Sequence, residues 1–225
     1  LRIKGTPGHG SAPFKSDNAL VRAAGVVQRL ADYRPPPQFH ELWRQQVDIL
    51  DVDDETKSIM LDEAKIEDWL DAHPVEGLAR HFYSCTHTTF SPNVAESDRR
   101  MKTNVIPDQI DVNVDIRTLP GESGAEVQAH LDAALGDLAD QVDVEIIMND
   151  PASISRIDNP MWDTIQKAVN QPFPSARLVP QLIVGFTDAR VYRNLGSIAY
   201  GAGLFSPDLK SSDFMSRFHG HNERI

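Results

Sequence analysis

The feature that most constrains the fold of this chain is a nine-residue run in which apolar and polar side chains alternate strictly. In residues 109–117 the apolar positions are Ile110, Val112, Val114 and Ile116. Alternation with a period of two predicts a β-strand that buries one face and exposes the other. The other face carries charged and amide side chains, so we expect this strand to lie in a half-buried sheet.

The elements predicted around this strand indicate an α+β sandwich with an antiparallel four-stranded sheet. Before it, the apolar spacing predicts a helix over 15–33, capped by Ser16 or Asp17, with an apolar face formed by Leu20, Val21, Ala24, Val27 and Leu30. The other predicted elements are, in chain order, a strand at 1–5, a helical acidic segment at about 39–82, a strand at 83–94, a helix at 121–141 and a strand at 142–148.

A stretch with proline and serine at residues 149–160 predicts a domain boundary near residue 150. Beyond it the pattern alternates between helix and strand, which is typical of an α/β domain. The predicted elements there are a helix at 159–171, a strand at 176–185, a helix at 187–196 and a strand at 197–203.

The composition argues against several classes of partner and site. Acidic side chains number 33 and basic ones 22, and the net charge of -11 argues against a nucleic-acid or anionic-membrane partner. The single cysteine, Cys85, excludes an intrachain disulfide framework and a zinc site built mainly from thiolates. One cysteine is compatible with a reducing compartment, and we expect a cytoplasmic location.

Six short motifs occur in the order KGTPGHGSAP, NVIPD, DIRTLPG, GFTDAR, YGAG and HGHNER. Several have an ordinary explanation when taken alone: His9 would be a loop residue, Arg117 an exposed charge, Thr187 or Asp188 a helix cap, and His219 a solvated side chain near the chain end. Together, over essentially the whole chain, they resemble the family of co-catalytic zinc peptidases and deacylases that includes aminoacylase, glutamate carboxypeptidase and succinyl-diaminopimelate desuccinylase.

This resemblance implies that the chain is part of a larger enzyme. Residues 1–150 would be a lid or dimerisation domain, an α+β sandwich with a four-stranded antiparallel sheet and a helical insertion at about 39–82. Residues 151–225 would be the C-terminal portion of an α/β zinc-peptidase catalytic domain, whose N-terminal half would be absent from this chain. A homodimer formed through the lid is expected.

The resemblance also implies roles for individual residues. His9 would act in catalysis by stabilising the oxyanion of the tetrahedral intermediate, and in dimeric members of the family it reaches into the partner's active site. Asn104 and Arg117 would bind the substrate, with Arg117 holding a carboxylate through a charge-assisted fork. Gly185 and Thr187 would line the substrate pocket.

The implied activity of the complete protein is hydrolysis of an amide bond in a peptide or N-acyl amino acid that bears a free carboxylate. Two zinc ions, or cobalt or manganese in their place, would activate the water, and His219 would be the one metal ligand present in this chain. This fragment alone is expected to be inactive.

Departures from the family pattern keep a second interpretation open. The family's principal metal motif, His-x-Asp followed by a proline, does not occur in this sequence, and no two glutamates are adjacent. In this second interpretation, the chain is a non-catalytic dimerisation or binding module that lacks the metal machinery. A serine hydrolase is excluded by the absence of a Gly-x-Ser-x-Gly elbow, and a Cys/His enzyme would rest on Cys85 alone.

Overall fold

The computed structural model describes residues 1–97 and 101–201, which form two compact units. Unit 1 comprises residues 1–35 and 88–151. Unit 2 comprises residues 36–87 and the described residues from 152 onward. The predicted division into a lid and a catalytic portion near residue 150 stays a prediction. Among the described residues, no helix is both long and apolar enough to span a membrane.

The structure has the following elements. The strands are β1 (Arg2–Lys4), β2 (Gly8–His9), β3 (Thr89–Glu96), β4 (Val105–Ile106), β5 (Gln109–Arg117) and β6 (Val142–Asp143). The helices are α1 (Ala19–Asp32), α2 (Glu41–Ile49), α3 (Asp54–Met60), α4 (Ile66–Asp71), α5 (Glu76–Thr86), α6 (Gly124–Leu135), α7 (Pro160–Asn170) and α8 (Ala189–Asn194), with a 3₁₀ helix (Gly136–Gln141) after α6.

Unit 1 is an antiparallel four-stranded sheet with two helices, α1 and α6, packed against it. The strand order is β3-β5-β1-β6, and β2 and β4 form a separate two-stranded ribbon. The predicted α+β sandwich with a four-stranded antiparallel sheet is therefore confirmed. The alternating run forms β5 as predicted, with Ile110 and Val112 fully buried against Ile3 in the same core. Leu131 and Leu135 of α6 complete that core.

Helix α1 differs from its prediction in both its cap and its buried face. Asn18, rather than Ser16 or Asp17, is the N-cap, and its side chain accepts a hydrogen bond from the Leu20 amide. The Asp17 carboxylate instead binds Arg22, so it is not available to cap the helix.

The buried face of α1 agrees with the predicted one only in part. Leu30 is buried and Val27 packs against the core as predicted, but Ala19, Ala23 and Val26 are buried in place of Leu20 and Val21, which are 46% and 69% exposed. The contact with the sheet is made partly through alanine, because small side chains let a helix lie close to the strands beneath it. The spacing of apolar residues in the sequence favoured the bulkier Leu20 and Val21 for this contact.

Strand β3 begins later than the strand predicted at 83–94, because helix α5 occupies the first residues of that range. The helix continues to Thr86, and His81, Phe82 and Cys85 recur at helical spacing on its buried side. The Thr86 hydroxyl donates to the Phe82 carbonyl, 2.8 Å away, so this β-branched residue is satisfied inside the helix. The predicted strand at 142–148 is also shortened, because β6 pairs with β1 only through Val142 and Asp143.

Unit 2 contains a helical core formed by α2, α3, α4 and α5, which confirms the predicted helical segment. Trp43 is its largest fully buried side chain, and its indole Nε1 donates to the Met60 carbonyl at 3.0 Å. The predicted strand at 176–185 does not form; Leu182 and Val184 from this segment pack against the helical core instead. Helix α7 forms as predicted, whereas the described residues at 197–201 contain no strand.

Gly5 is a position where the fold requires the absence of a side chain. A Cβ at Gly5 would lie 2.6 Å from the Ala19 amide nitrogen and 2.7 Å from the Asp17 carbonyl oxygen, both of which are backbone atoms. We expect Gly5→Ala to lower the free energy of unfolding by about 1–3 kcal/mol, because backbone must move to admit the methyl group. Urea denaturation followed by circular dichroism measures the change.

Gly124→Ala is the matched control for this prediction. A Cβ at Gly124, the first residue of α6, would meet no atom within 4 Å, and alanine is the better helix former. We expect this variant to be as stable as the wild type or slightly more so. Equal unfolding midpoints for the two variants would contradict the close approach of β1 and α1.

Candidate functional site

The β2–β4 ribbon brings two of the predicted site residues together. His9 lies opposite Val105 in the ribbon, and the next amide, that of Gly10, donates to the Asn104 carbonyl at 2.8 Å. A Cβ at Gly10 would lie 3.1 Å from the Asn104 carbonyl carbon, so glycine here permits the close approach. His9 and Asn104 are both exposed. The ribbon therefore brings the backbones of His9 and Asn104 to neighbouring positions, and both residues are exposed to solvent.

The imidazole of His9 is held by a residue that the sequence prediction missed. The Ser11 hydroxyl oxygen lies 2.7 Å from His9 Nδ1, and the Ser11 backbone N–H donates to the same nitrogen at 3.2 Å. Both contacts come from a residue two positions along the chain. A serine closely following a histidine is too common in loops to have marked this role in the sequence.

Arg117 lies at the other end of the sheet from His9 and Asn104. The ribbon continues from the end of the β1–β5 pair where Lys4 faces Gln109, whereas Arg117 ends β5 opposite Thr89 of β3. The nine residues of β5 separate these two ends by about 26 Å. Unit 1 therefore does not place Arg117 in one site with His9 and Asn104 of the same chain.

Asp115 orients the Arg117 side chain. The Arg117 Nε lies 2.7 Å from Asp115 Oδ1, and its Nη2 donates to Oδ2 at 2.8 Å. The two residues are two positions apart on β5, so they share its polar face as the alternation predicted. The Arg117 side chain is 40% exposed. Asp115 was not predicted as a site residue, although this spacing on a strand is a usable signal for such a pair.

The loop after Arg117 is anchored by a nearly buried carboxylate. Glu122, whose side chain is 2% exposed, accepts hydrogen bonds from the Thr88 hydroxyl and from the Leu119 amide, the latter at 2.8 Å. His130 Nε2 lies 3.6 Å from its other oxygen. These contacts join the start of β3, the loop and α6, and so they fix the end of β5 that carries Arg117.

Gly185 and Thr187, the predicted pocket residues, lie in unit 2 on the exposed turn before α8. Asp188 occupies the N-cap position of α8 without a side-chain hydrogen bond to the helix, and the Thr187 carbonyl accepts from the Arg190 amide at 3.3 Å. His219, the predicted metal ligand, lies outside the described residues.

The described part of the chain does not by itself hold the metal that the family resemblance implies. Within residues 1–97 and 101–201, no group of three or more histidine, cysteine, aspartate and glutamate side chains is arranged to bind a metal ion. Ligands for such an ion would have to come from elsewhere in the complete protein.

Cys85 does not have the environment of a catalytic nucleophile. Its Sγ lies 3.6 Å from His81 Nε2 in the helical core of unit 2, and burial raises the pKa of the thiol to about 12. Burial also lowers the pKa of the His81 imidazole, so this pair favours the neutral thiol and the neutral ring. A Cys/His enzyme built on Cys85 is not supported.

We expect the Cys85 thiol to react at least about 100-fold more slowly with iodoacetamide in the native protein at pH 8 than after denaturation. The thiolate is the reacting species, and burial suppresses both its formation and its contact with the reagent. Peptide mass spectrometry of the Cys85 peptide over a time course measures both rates. Equal rates in the native and denatured protein would contradict the buried location of this thiol.

Comparison with known proteins places this fold among peptidases. Residues 1–143 match the family model described as the peptidase dimerisation domain. The chain is 29% identical to probable carboxypeptidase S-like 2 of Dictyostelium discoideum over 55% of this chain and 23% of that protein. It is 26% identical to N-fatty-acyl-amino acid synthase/hydrolase PM20D1 of Mus musculus over 100% of this chain and 44% of that protein. The chain therefore spans less than half the length of these relatives.

Solved structures show the same fold at low sequence identity. Human carnosine dipeptidase 1 is similar with a TM-score of 0.56 and 14% identity, covering 86% of this chain and 44% of the dipeptidase chain. The M20 family metallo-carboxypeptidase Sso-CP2 of Sulfolobus solfataricus is similar with a TM-score of 0.53 and 15% identity, covering 87% of this chain and 47% of that chain.

Proposed function

This chain belongs to the peptidase dimerisation domain family, and we propose that the complete protein hydrolyses an amide bond in a peptide or N-acyl amino acid that bears a free carboxylate. Membership rests on the match over residues 1–143 and confirms the resemblance predicted from the six motifs. The observation that supports the reaction best is that the ribbon exposes His9 and brings its backbone close to that of Asn104.

His9 supplies the oxyanion donor in this proposal. Its ring is exposed on a short ribbon, and its Nδ1 is already engaged by Ser11, so hydrogen bonding to a substrate falls to Nε2. A donor aimed at the position where negative charge develops stabilises the transition state more than the ground state. Asn104, which precedes the partner strand of the ribbon, would add an amide that binds the substrate.

Arg117 binds the substrate carboxylate in this proposal. A guanidinium held by Asp115 on a rigid strand is pre-oriented, which lowers the conformational entropy that binding must remove. Because a guanidinium forms charge-assisted hydrogen bonds with carboxylates, Arg117 would favour substrates that carry a free carboxylate near the scissile bond. Gly185 and Thr187 would line the pocket around the remainder of the substrate.

A homodimer accounts for the separation between these groups. Since about 26 Å of strand lies between the ribbon and Arg117, one small substrate cannot contact His9 and Arg117 of the same chain. In a two-fold dimer formed through unit 1, each site would take Arg117 from one subunit and His9 with Asn104 from the other. The name of the matched family, a dimerisation domain, supports this arrangement.

The proposal includes a metal centre held mainly by residues outside this chain. Two zinc ions, or cobalt or manganese, would supply Lewis-acid chemistry, and His219 would contribute one ligand. The structural similarity to Sso-CP2, a metallo-carboxypeptidase, supports a metal in the complete protein. A cytoplasmic location is part of the same proposal.

In the complete protein, we expect His9→Ala to lower kcat about 10²- to 10³-fold without changing bound metal, because only the oxyanion donor is removed. His219→Ala should lower activity together with metal content. Hydrolysis of a panel of dipeptides and N-acyl amino acids, paired with elemental analysis of each variant, measures both effects.

Val105→Ala is the matched control, since Val105 is exposed on the same ribbon opposite His9 but carries no donor. Its kcat should stay near that of the wild type. Wild-type turnover in His9→Ala would remove His9 from the mechanism. If the complete wild-type protein bound no metal and hydrolysed no member of the panel, the non-catalytic dimerisation module would be the better account.

A further inference from the structure

The contacts between Ser11 and His9 determine which ring nitrogen carries the proton. A backbone N–H can only donate, and the Ser11 amide points at His9 Nδ1 from 3.2 Å. That nitrogen must therefore present its lone pair. A neutral imidazole has a single N–H, so the proton lies on Nε2. The assignment does not depend on the orientation of the serine hydroxyl.

The Ser11 hydroxyl strengthens the same arrangement. Its oxygen lies 2.7 Å from Nδ1, and since Nδ1 is an acceptor, the hydroxyl supplies the hydrogen. Two donors from one residue thus converge on one nitrogen, and they fix the ring plane relative to the chain as well as the tautomer. Gly10 lies between His9 and Ser11 in the sequence, and its amide donates across the ribbon to the Asn104 carbonyl. This hydrogen bond holds the short segment in place.

We propose that Ser11 is a positioning residue that holds His9 as the Nε2–H tautomer, so that His9 acts as a hydrogen-bond donor through Nε2 and not as a base at that atom. This inference rests on the proposed function, in which His9 faces the substrate. The inference means that His9 is not the general base of the reaction, because a ring nitrogen that already carries a proton cannot accept another. Ser11 itself does not touch the substrate.

The tautomer can be observed directly in the complete protein. Solid-state ¹⁵N NMR of protein labelled at histidine distinguishes a protonated ring nitrogen from an unprotonated one, and the His9→Ala spectrum identifies the His9 signals. The wild type should show His9 protonated at Nε2 and unprotonated at Nδ1. In Ser11→Ala, which keeps the amide donor but loses the hydroxyl, the Nε2–H tautomer should still predominate, but minor signals of the Nδ1–H tautomer should appear because one of the two donors to Nδ1 is lost. Ser11→Thr should retain the wild-type spectrum.

Ser16→Ala is the matched control, because Ser16 lies in the same loop but its hydroxyl donates to the Pro13 carbonyl at 2.8 Å and not to His9. Its spectrum should match the wild type. In turnover assays, Ser11→Ala should lower kcat about 2- to 10-fold with KM unchanged, as expected for the loss of one supporting hydrogen bond, and Ser11→Thr should restore it.

The two proposals fail in different ways. A wild-type His9 protonated at Nδ1, or a Ser11→Ala spectrum identical to the wild type, would overturn the role of Ser11 while leaving the hydrolase intact. An unchanged kcat in Ser11→Ala would do the same. If the wild-type protein hydrolyses no substrate, the proposed function fails, and the role of Ser11 in catalysis fails with it.

Discussion

The antiparallel pairing of β1 with β5 is the constraint on which the rest of unit 1 depends. Ile3 lies opposite Ile110 in the core, and both are buried almost completely. Beside them, Arg2 Nε contacts Asp111 Oδ1 at 2.9 Å, and this hydrogen bond holds the pKa of the Asp111 carboxyl below its usual range. The lowered pKa means that the pair stabilises the fold above the usual carboxylate pKa, and that this stabilisation is lost as pH falls through the lowered value.

The same pairing decides where the functional groups can lie. Its register carries the chain from Lys4 and Gln109 into the ribbon with His9, and at the far end of β5 it leaves Arg117 on the polar face. A slip by one residue would turn every side chain of β5 to the opposite face and would bury Arg117. The register that packs the core therefore also fixes the positions of His9 and Arg117, and the length of β5 separates these two residues.

Sequence reasoning succeeded where a pattern is local and repeated. The alternation in β5 predicted both the core positions and the polar face of Arg117, and the six motifs predicted the family. It failed where packing decides. The apolar face of α1 was partly misplaced because small alanines make much of the contact with the sheet. Tyr83 was assigned to a strand because the threonines that follow it are typical of strands, although the first of them, Thr86, lies inside α5. Ser11 and Asp115 were missed because their roles depend on a side chain turning back toward a neighbour.

The central claim is that His9 and Arg117 act in sites shared between two subunits. The most direct test is to mix His9→Ala and Arg117→Ala forms of the complete protein, each nearly inactive, under conditions that allow subunits to exchange. A mixed dimer contains one site with both residues intact, so the account predicts recovery of roughly a quarter of wild-type activity at equal mixing. No recovery, with exchange verified by mass spectrometry, would mean that each site takes both residues from one chain and would contradict the account.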